Sequence, residues 1–190
     1  MKFTPSFEGG EHQVLLIFGD GRKDEKLVRL ATPKFNGKSL LLCSLSHPLP
    51  RRKPTGASAL EGLILIMDKG FIVRKALFYV DREHIRSFEV VKEWLKGHGF
   101  LIEKEERLSD DVVFLSLARG YRKLGLYVAL AGKVKNLNEE VEDLVERILG
   151  EEAARKAWRY LKAAINRASQ QDIFISVKGL SVVIKALEQN

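Results

Sequence analysis

Two apolar runs that each end in an acidic cluster constrain this sequence more than any other feature. The first run, 14–18, leads into Asp20-Gly21-Arg22-Lys23-Asp24, and the second, 76–80, leads into Asp81-Arg82-Glu83. Five apolar residues bounded by turn-forming or charged residues are typical of a buried parallel strand. In open α/β sheets, ligands bind beyond the carboxyl ends of such strands. If the two strands are neighbours, their carboxylates converge and offer the oxygen donors that a divalent cation such as Mg²⁺ requires.

The pattern of elements favours an α/β fold. Over 57–69 the apolar spacing favours a helix, although 68–70 is also suited to turning a hairpin between 63–67 and 71–80. Strand and helix alternate three times in the first hundred residues, which indicates a mostly parallel, doubly wound sheet. The predicted strands are 14–18, 39–45 and 76–80, and the predicted helices are 23–31, 57–69 and 84–97.

The second half of the chain has a different pattern. Three strands separated only by turns predict an antiparallel extension of the sheet, at 100–104, 112–118 and 125–131. Two amphipathic helices follow, and the tail is suited to an edge strand at 173–177 and a closing helix at 180–187. We interpret residues 1–190 as one α/β domain, with its core motifs in 12–100 and a helical C-terminal part in 136–190.

Composition narrows the functional classes. The net charge of +7 over 190 residues permits a nucleic-acid partner, but abundant Lys and Glu with few Cys and Met also occur in thermophile proteins as surface ion-pair networks. The single cysteine, Cys43, excludes a disulfide framework and a thiolate metal site. No stretch is apolar enough for a membrane span and the N-terminus lacks a signal-peptide core, so we expect a cytoplasmic protein.

The acidic clusters resemble the two motifs of the Toprim domain. This domain, shared by topoisomerases, bacterial-type primases and nucleases of the overcoming-lysogenization-defect class, carries Glu-Gly-x-x-Asp after its first strand and Asp-x-Asp after its third. The cluster 20–24 is similar to the first motif with Asp in place of Glu, and 81–83 is similar to the second with Glu as its last acid. The resemblance covers about residues 12–100 and implies a Toprim- or Rossmann-like three-layer fold in a small standalone form.

The resemblance also implies roles for these acids. Asp20 corresponds to the general acid/base of the family, while Asp81 and Glu83, together with Asp24, correspond to the carboxylates that hold Mg²⁺ or Mn²⁺. Both substitutions keep the charge and change the reach of the side chain by one methylene. Each cluster also has a structural interpretation, since Asp24 suits the first turn of a helix and Asp81 suits a helix N-cap.

Further candidates lie outside the two motifs. Lys133 follows strand 125–131 and reaches the same edge if that strand is parallel to the others, where it would meet a scissile phosphate as a catalytic cation. The nuclease branch of the family places an additional acid near 138–140, although acids there also suit the first turn of a helix. His84 follows the second motif directly, and its side chain either points into the site or faces solvent from the start of a helix. The candidate nucleic-acid-binding residues are Arg51, Arg52, Lys53, Arg119, Tyr121, Arg122 and Lys123.

Three functional hypotheses follow. The leading one is a metal-dependent enzyme, interpreted as a nuclease that acts on DNA or RNA phosphodiesters. The second is a catalytically silent Toprim-like module that binds nucleic acid or a protein partner. Under both hypotheses the chain is either a monomer or a homo-oligomer. The third is a nucleotide-binding α/β domain unrelated to Toprim.

Overall fold

One mixed sheet runs through the part of the chain that the computed structural model describes, residues 1–4, 6–19, 22–35, 41–44, 55–134 and 136–189. Its order is β1-β3-β2-β4-β7-β6-β5, numbered along the chain. The strands are β1 Lys2–Thr4, β2 Gly10–Phe18, β3 Leu41–Ser44, β4 Val73–Asp81, β5 Leu101–Ser109, β6 Val112–Arg119 and β7 Arg122–Ala131.

The sheet is parallel from β1 to β7 in this order and antiparallel beyond it. Strand β4 lies between β2 and β7 and is parallel to both, with Leu77 opposite Leu16 and Asp81 opposite Ala131. Strand β6 is antiparallel to both β7 and β5. The two strands that carry the acidic clusters are therefore neighbours, and the predicted mostly parallel sheet with an antiparallel extension is confirmed.

Helices cover both faces of the sheet. A short 3₁₀ segment, Thr32–Lys34, precedes β3, and a second one, Gly56–Leu60, precedes the second α-helix. The helical interpretation of 57–69 is confirmed, and the hairpin alternative is wrong. The α-helices in the described residues are α1 Arg22–Ala31, α2 Glu61–Asp68, α3 Phe88–Gly97, α4 Leu137–Leu149, α5 Glu151–Ala154, α6 Ala157–Arg167, α7 Gln170–Ser176 and α8 Lys178–Gln189.

Alternate residues of each central strand enter two separate cores. Leu77 and Tyr79 of β4 pack in the core that includes residues of α1, α4, α6, α7 and α8. Phe78 and Val80 pack on the opposite face with α2 and α3. Because both faces are covered by helices, the central strands are apolar without alternation. The arrangement is a three-layer α/β fold with C-terminal helices, as predicted.

The helix predicted from about residue 84 begins later, at Phe88. The backbone carbonyl of Asp81 accepts hydrogen bonds from the N–H groups of His84 and Ile85, at 3.0 and 3.2 Å, which closes a turn instead of a helix. Ile85 is buried beneath this turn. Ser87, in an extended conformation, is the N-cap residue of α3, so the interpretation of Asp81 as the N-cap of the following helix is wrong.

The predicted edge strand at 173–177 is also wrong, because this segment is helical. Ser169 and Asp172 form a reciprocal capping box that starts α7. Ile173 and Val177 are four residues apart and both are buried in the same core, as helical periodicity requires. The local β propensity of the sequence Ile-Phe-Ile is therefore overridden by the cap and by tertiary packing.

Candidate metal centre at the carboxyl edge of the sheet

The carboxyl ends of β2, β4 and β7 lie at one edge of the sheet. Phe18, the last residue of β2, is paired with Tyr79, and β4 continues two residues further to Asp81. Asp81 is paired with Ala131, the last residue of β7. The segments that follow these strands therefore start side by side, which is where open α/β sheets bind ligands.

Asp81, Glu83 and His84 bring possible metal ligands together at this edge. One ligand atom from each side chain lies within 4.8 Å of the other two. Asp81 is buried, whereas the side chain of Glu83 is 42% exposed and that of His84 is 29% exposed. The turn at 82–84 places Glu83 and His84 beside Asp81. The group is thus anchored in the protein on one side and open to solvent on the other.

The start of α4 orients both carboxylates. Oδ1 of Asp81 accepts a hydrogen bond from the backbone N–H of Leu137 at 3.0 Å, and Oε2 of Glu83 accepts one from Nδ2 of Asn136 at 3.2 Å. Asn136 is also the N-cap of α4, since its Oδ1 accepts from the N–H of Asn138. The start of α4 therefore fixes the positions of both carboxylates.

A tight turn at Gly132 connects β7 to α4. Gly132 has a φ of +86°, and a Cβ atom there would lie 2.4 Å from the backbone oxygen of Asn136. Its carbonyl accepts from Nε of Arg82 at 3.0 Å, while the guanidinium of Arg82 also pairs with Asp111. Arg82 is thereby held to β7 and to the β5–β6 turn, although it lies between Asp81 and Glu83 in sequence.

Tyr79 and Glu140 form a buried hydrogen-bonded pair next to this edge, on the face of the sheet that α1 and α4 cover. The hydroxyl of Tyr79 donates to Oε2 of Glu140 at 2.8 Å, and the N–H of Gly132 donates to Oε1 at 3.0 Å. Burial raises the pKa of Glu140 to about 7, even though both hydrogen bonds favour its charged form. Burial and the nearby charge of Glu140 also raise the pKa of Tyr79 well above its ordinary value.

Tyr79 is not among the candidate residues predicted from the sequence. The signal available was its position two residues before Asp81 in a strand, which puts both side chains on the same face. The segment 138–140, predicted to hold an additional acid, contains Glu140, which accepts the hydrogen bond from Tyr79. Glu139, by contrast, accepts a hydrogen bond from the N–H of Val134 at 2.7 Å in the same connection.

Asp24 lies near Tyr79 but is not one of the three clustered ligand groups. It occupies the first turn of α1, is buried, and adds its charge to the rise in the pKa of Tyr79. Asp20, the predicted general acid/base, lies outside the described residues. The structure therefore brings Asp81 and Glu83 together and places His84 beside them, the first of the two alternatives for this residue.

Lys133 lies at the same edge, because β7 is parallel to β4 as its prediction required. Its Nζ atom is 2.6 Å from Oδ1 of Asp143, and its side chain is 56% exposed. Partial burial tends to raise the pKa of Asp143, but hydrogen bonds from Lys133 and from Ser176 outweigh burial and hold that pKa below its ordinary value. Lys133 is therefore a rim residue with an acidic partner.

The residues proposed as a nucleic-acid surface at 119–123 lie at the opposite end of the sheet. They form the turn between β6 and the start of β7, and β7 runs ten residues, or roughly 30 Å, to the carboxyl edge. Arg119 pairs with Asp68 at 2.7 Å and Lys123 with Glu103 at 2.8 Å. Arg122 donates to the carbonyl of Met67, and Tyr121 is 89% exposed. Arg51, Arg52 and Lys53 lie outside the described residues.

Comparison of the chain with protein-family models, with curated proteins and with solved structures finds no match. In the described residues, no helix has the length and apolar character needed to cross a membrane. The chemistry of the edge of the sheet is therefore the basis for a functional proposal.

Proposed function

We propose that this chain binds Mn²⁺ or Mg²⁺ through Asp81, Glu83 and His84 and hydrolyses phosphodiester bonds of nucleic acids. The observation that carries the proposal is the approach of three ligand groups within 4.8 Å at the carboxyl edge of a parallel sheet. The resemblance of 20–24 and 81–83 to the Toprim motifs supports the same site. The exposed side of the group leaves room for substrate and water.

The donor set suits Mn²⁺ better than Mg²⁺. Mg²⁺ prefers oxygen ligands, whereas an imidazole nitrogen is a ligand of transition metals, and Mn²⁺ also accepts carboxylates. The hydrogen bonds to Asp81 and Glu83 fit such a role, because a carboxylate has about four lone-pair sites and donors of this kind orient metal-binding groups. When bound, the cation would supply Lewis-acid stabilisation of the charge on the reacting phosphate.

The remaining residues of the edge would bind and orient the substrate. Lys133 is an exposed cation at the rim, where a phosphate would compete with Asp143 for its Nζ atom. Asp20 follows β2, the neighbour of β4, and we assign it the role of general acid/base by resemblance to the Toprim motif. Asp24 remains a candidate for a second metal position from its buried place on α1.

The test measures metal binding and cleavage in the same proteins. Mn²⁺ binding is followed by electron paramagnetic resonance, and cleavage by incubating labelled single-stranded DNA and RNA with Mn²⁺ or with EDTA. The variant is the Asp81→Asn, Glu83→Gln double substitution, which keeps an oxygen acceptor for Leu137. The control, Glu61→Gln with Glu188→Gln, removes two exposed carboxylates elsewhere.

We expect the wild type and the control to bind Mn²⁺ and cleave, and the double variant to lose both properties. Cleavage that persists in the double variant, or that proceeds equally in EDTA, contradicts the proposal. Mn²⁺ binding without cleavage contradicts the hydrolytic part of the proposal but still supports the metal site.

The second candidate function is a module that binds nucleic acid or a protein without cleaving. One observation favours it: both carboxylates already accept hydrogen bonds from the start of α4, so each has a structural role in the connection between β7 and α4. Such a module would show the same binding in EDTA and in the double variant, with no metal-dependent cleavage in any protein.

A further inference from the structure

The exposed face of α6, with the two residues before the helix, carries cationic side chains and no acidic ones. Between residues 153 and 171 the sequence contains five cationic residues and no acidic one. Arg155 is 3.7 Å from Glu151 in an exposed pair. The other four cations of the segment have no acidic partner within 4.0 Å among the described residues; they are Lys156, Arg159, Lys162 and Arg167.

An aromatic ring and a cleft accompany these cations. Tyr160 is 38% exposed, and it lies one helical turn after Lys156. Lys156, Tyr160 and Arg167 line one side of an open cleft of about 720 Å³ between α6, α5 and the end of α4. Glu152 is the acidic side chain in the lining. Cations interleaved with an exposed aromatic ring are the combination that binds single-stranded nucleic acid, through phosphate contacts and base stacking.

The surface continues toward the carboxyl edge of the sheet. Trp158, at the start of α6, donates from Nε1 to Oδ1 of Asn138 at 2.7 Å, and Lys23 of α1 donates to the same oxygen at 3.3 Å. The Nζ atoms of Lys23 and Lys26 lie 5.4 and 5.9 Å from the centre of the Trp158 ring. Asn138 is two residues from Asn136, the partner of Glu83, so α4 joins the basic surface to the candidate metal centre.

The apolar side of α6 packs in the core of the protein. Leu161, Ala164 and Ile165 are buried in the core, so α6 has no apolar face left to insert into a lipid bilayer. A polyanion needs no such face, because its affinity comes from the counterions that cationic side chains release.

We infer that the α6 surface, formed by Lys156, Arg159, Tyr160 and Arg167, binds single-stranded nucleic acid and directs it to the carboxyl edge of the sheet. The inference rests on the proposed function for the nature of the ligand. It does not require hydrolysis, because binding is measurable in EDTA.

The experiment measures binding of a fluorescein-labelled 20-nucleotide oligo(dT) by anisotropy in EDTA at several salt concentrations. The variant is Lys156→Gln, Arg159→Gln, Arg167→Gln. The control is Lys69→Gln, Arg74→Gln, Lys96→Gln, which removes the same charge from exposed positions outside α6. Circular dichroism and thermal melting of each protein confirm that it is folded.

Three phosphate contacts on a single strand give log K a slope of about −2 against log salt. Their contribution to the affinity at 0.1 M salt, relative to 1 M salt, is therefore on the order of 100-fold. We expect the α6 variant to lose both, and the control to lose less than tenfold. A Tyr160→Ala variant should bind about fivefold or more weakly with an unchanged salt slope, because stacking releases no counterions.

Three results would overturn the inference: an α6 variant that binds as the wild type does, a control that weakens binding equally, or tighter binding to phosphatidylglycerol vesicles than to the oligonucleotide. The proposed function fails separately. An Asp81→Asn, Glu83→Gln variant that still cleaves contradicts the metal centre but leaves the α6 surface standing if oligo(dT) binding depends on α6.

Discussion

The buried carboxyl of Glu140 should make the stability of this protein fall as the pH rises toward 7. Glu140 is 4% exposed, and burial raises its pKa from 4.5 to about 7. Between these two values the folded state keeps a proton that the unfolded state has released. The unfolded state therefore binds fewer protons, and the free energy of unfolding decreases with pH across this window.

The size of the effect follows from the two pKa values. A pKa difference of about 2.5 corresponds to about 3 kcal/mol when Glu140 is fully ionised at pH 8, and to about 1 kcal/mol at pH 5. Glu140→Gln resembles the protonated form, because its Oε1 can accept from the N–H of Gly132 while its Nε2 donates to the hydroxyl of Tyr79. We expect this variant to be more stable than the wild type by these amounts.

The measurement is urea unfolding followed by circular dichroism from pH 5 to pH 8, with EDTA present to exclude bound metal. The control is Glu142→Gln, which removes the same charge from the exposed side of α4. If Glu140→Gln is no more stable than the wild type at pH 8, or if its advantage does not grow with pH, the assignment of a raised pKa to a buried Glu140 is refuted.

Two further substitutions probe the same connection. Tyr79→Phe removes a donor to ionised Glu140 and should cost about 1 to 3 kcal/mol at pH 8 but less at pH 5, in the same urea series; an equal cost at both pH values would contradict this. Gly132→Ala should cost about 3 kcal/mol or more by thermal melting, since its Cβ meets the backbone of Asn136. Gly150→Ala should cost less, about 1 to 3 kcal/mol, because φ of +91° and ψ of +167° strain an alanine but the space around Gly150 is open.

The chemistry of the site was only partly readable from the sequence. Asp81 and Glu83 were found because a buried strand that ends in acids is a local pattern. His84 adjoins them in sequence, but its approach to the other two depends on the turn that the Asp81 carbonyl closes. Glu140 comes about sixty residues after Tyr79, and nothing in the local pattern of either indicates that they meet.

The errors in the predicted elements have the same origin. The segment 173–177 has β-forming residues, but its cap at Ser169 and its contacts with the core make it helical. The helix predicted from 84 starts at Phe88, because the side chain of Asp81 binds the start of α4 while its carbonyl closes a turn.

The sequence by itself determined the α/β class, the mostly parallel sheet and its antiparallel extension, whereas the pairing of β2 with β4 came from the structure. The first three features follow from apolar periodicity and turn residues, which act over a few positions along the chain. Only the tertiary structure decided which residues far apart in sequence meet: it buries the Tyr79–Glu140 pair in a low-dielectric core, and it places Trp158 of α6 against Asn138 at the start of α4. Burial and charge proximity depend on distances in space between residues far apart in sequence, and local patterns do not specify those distances.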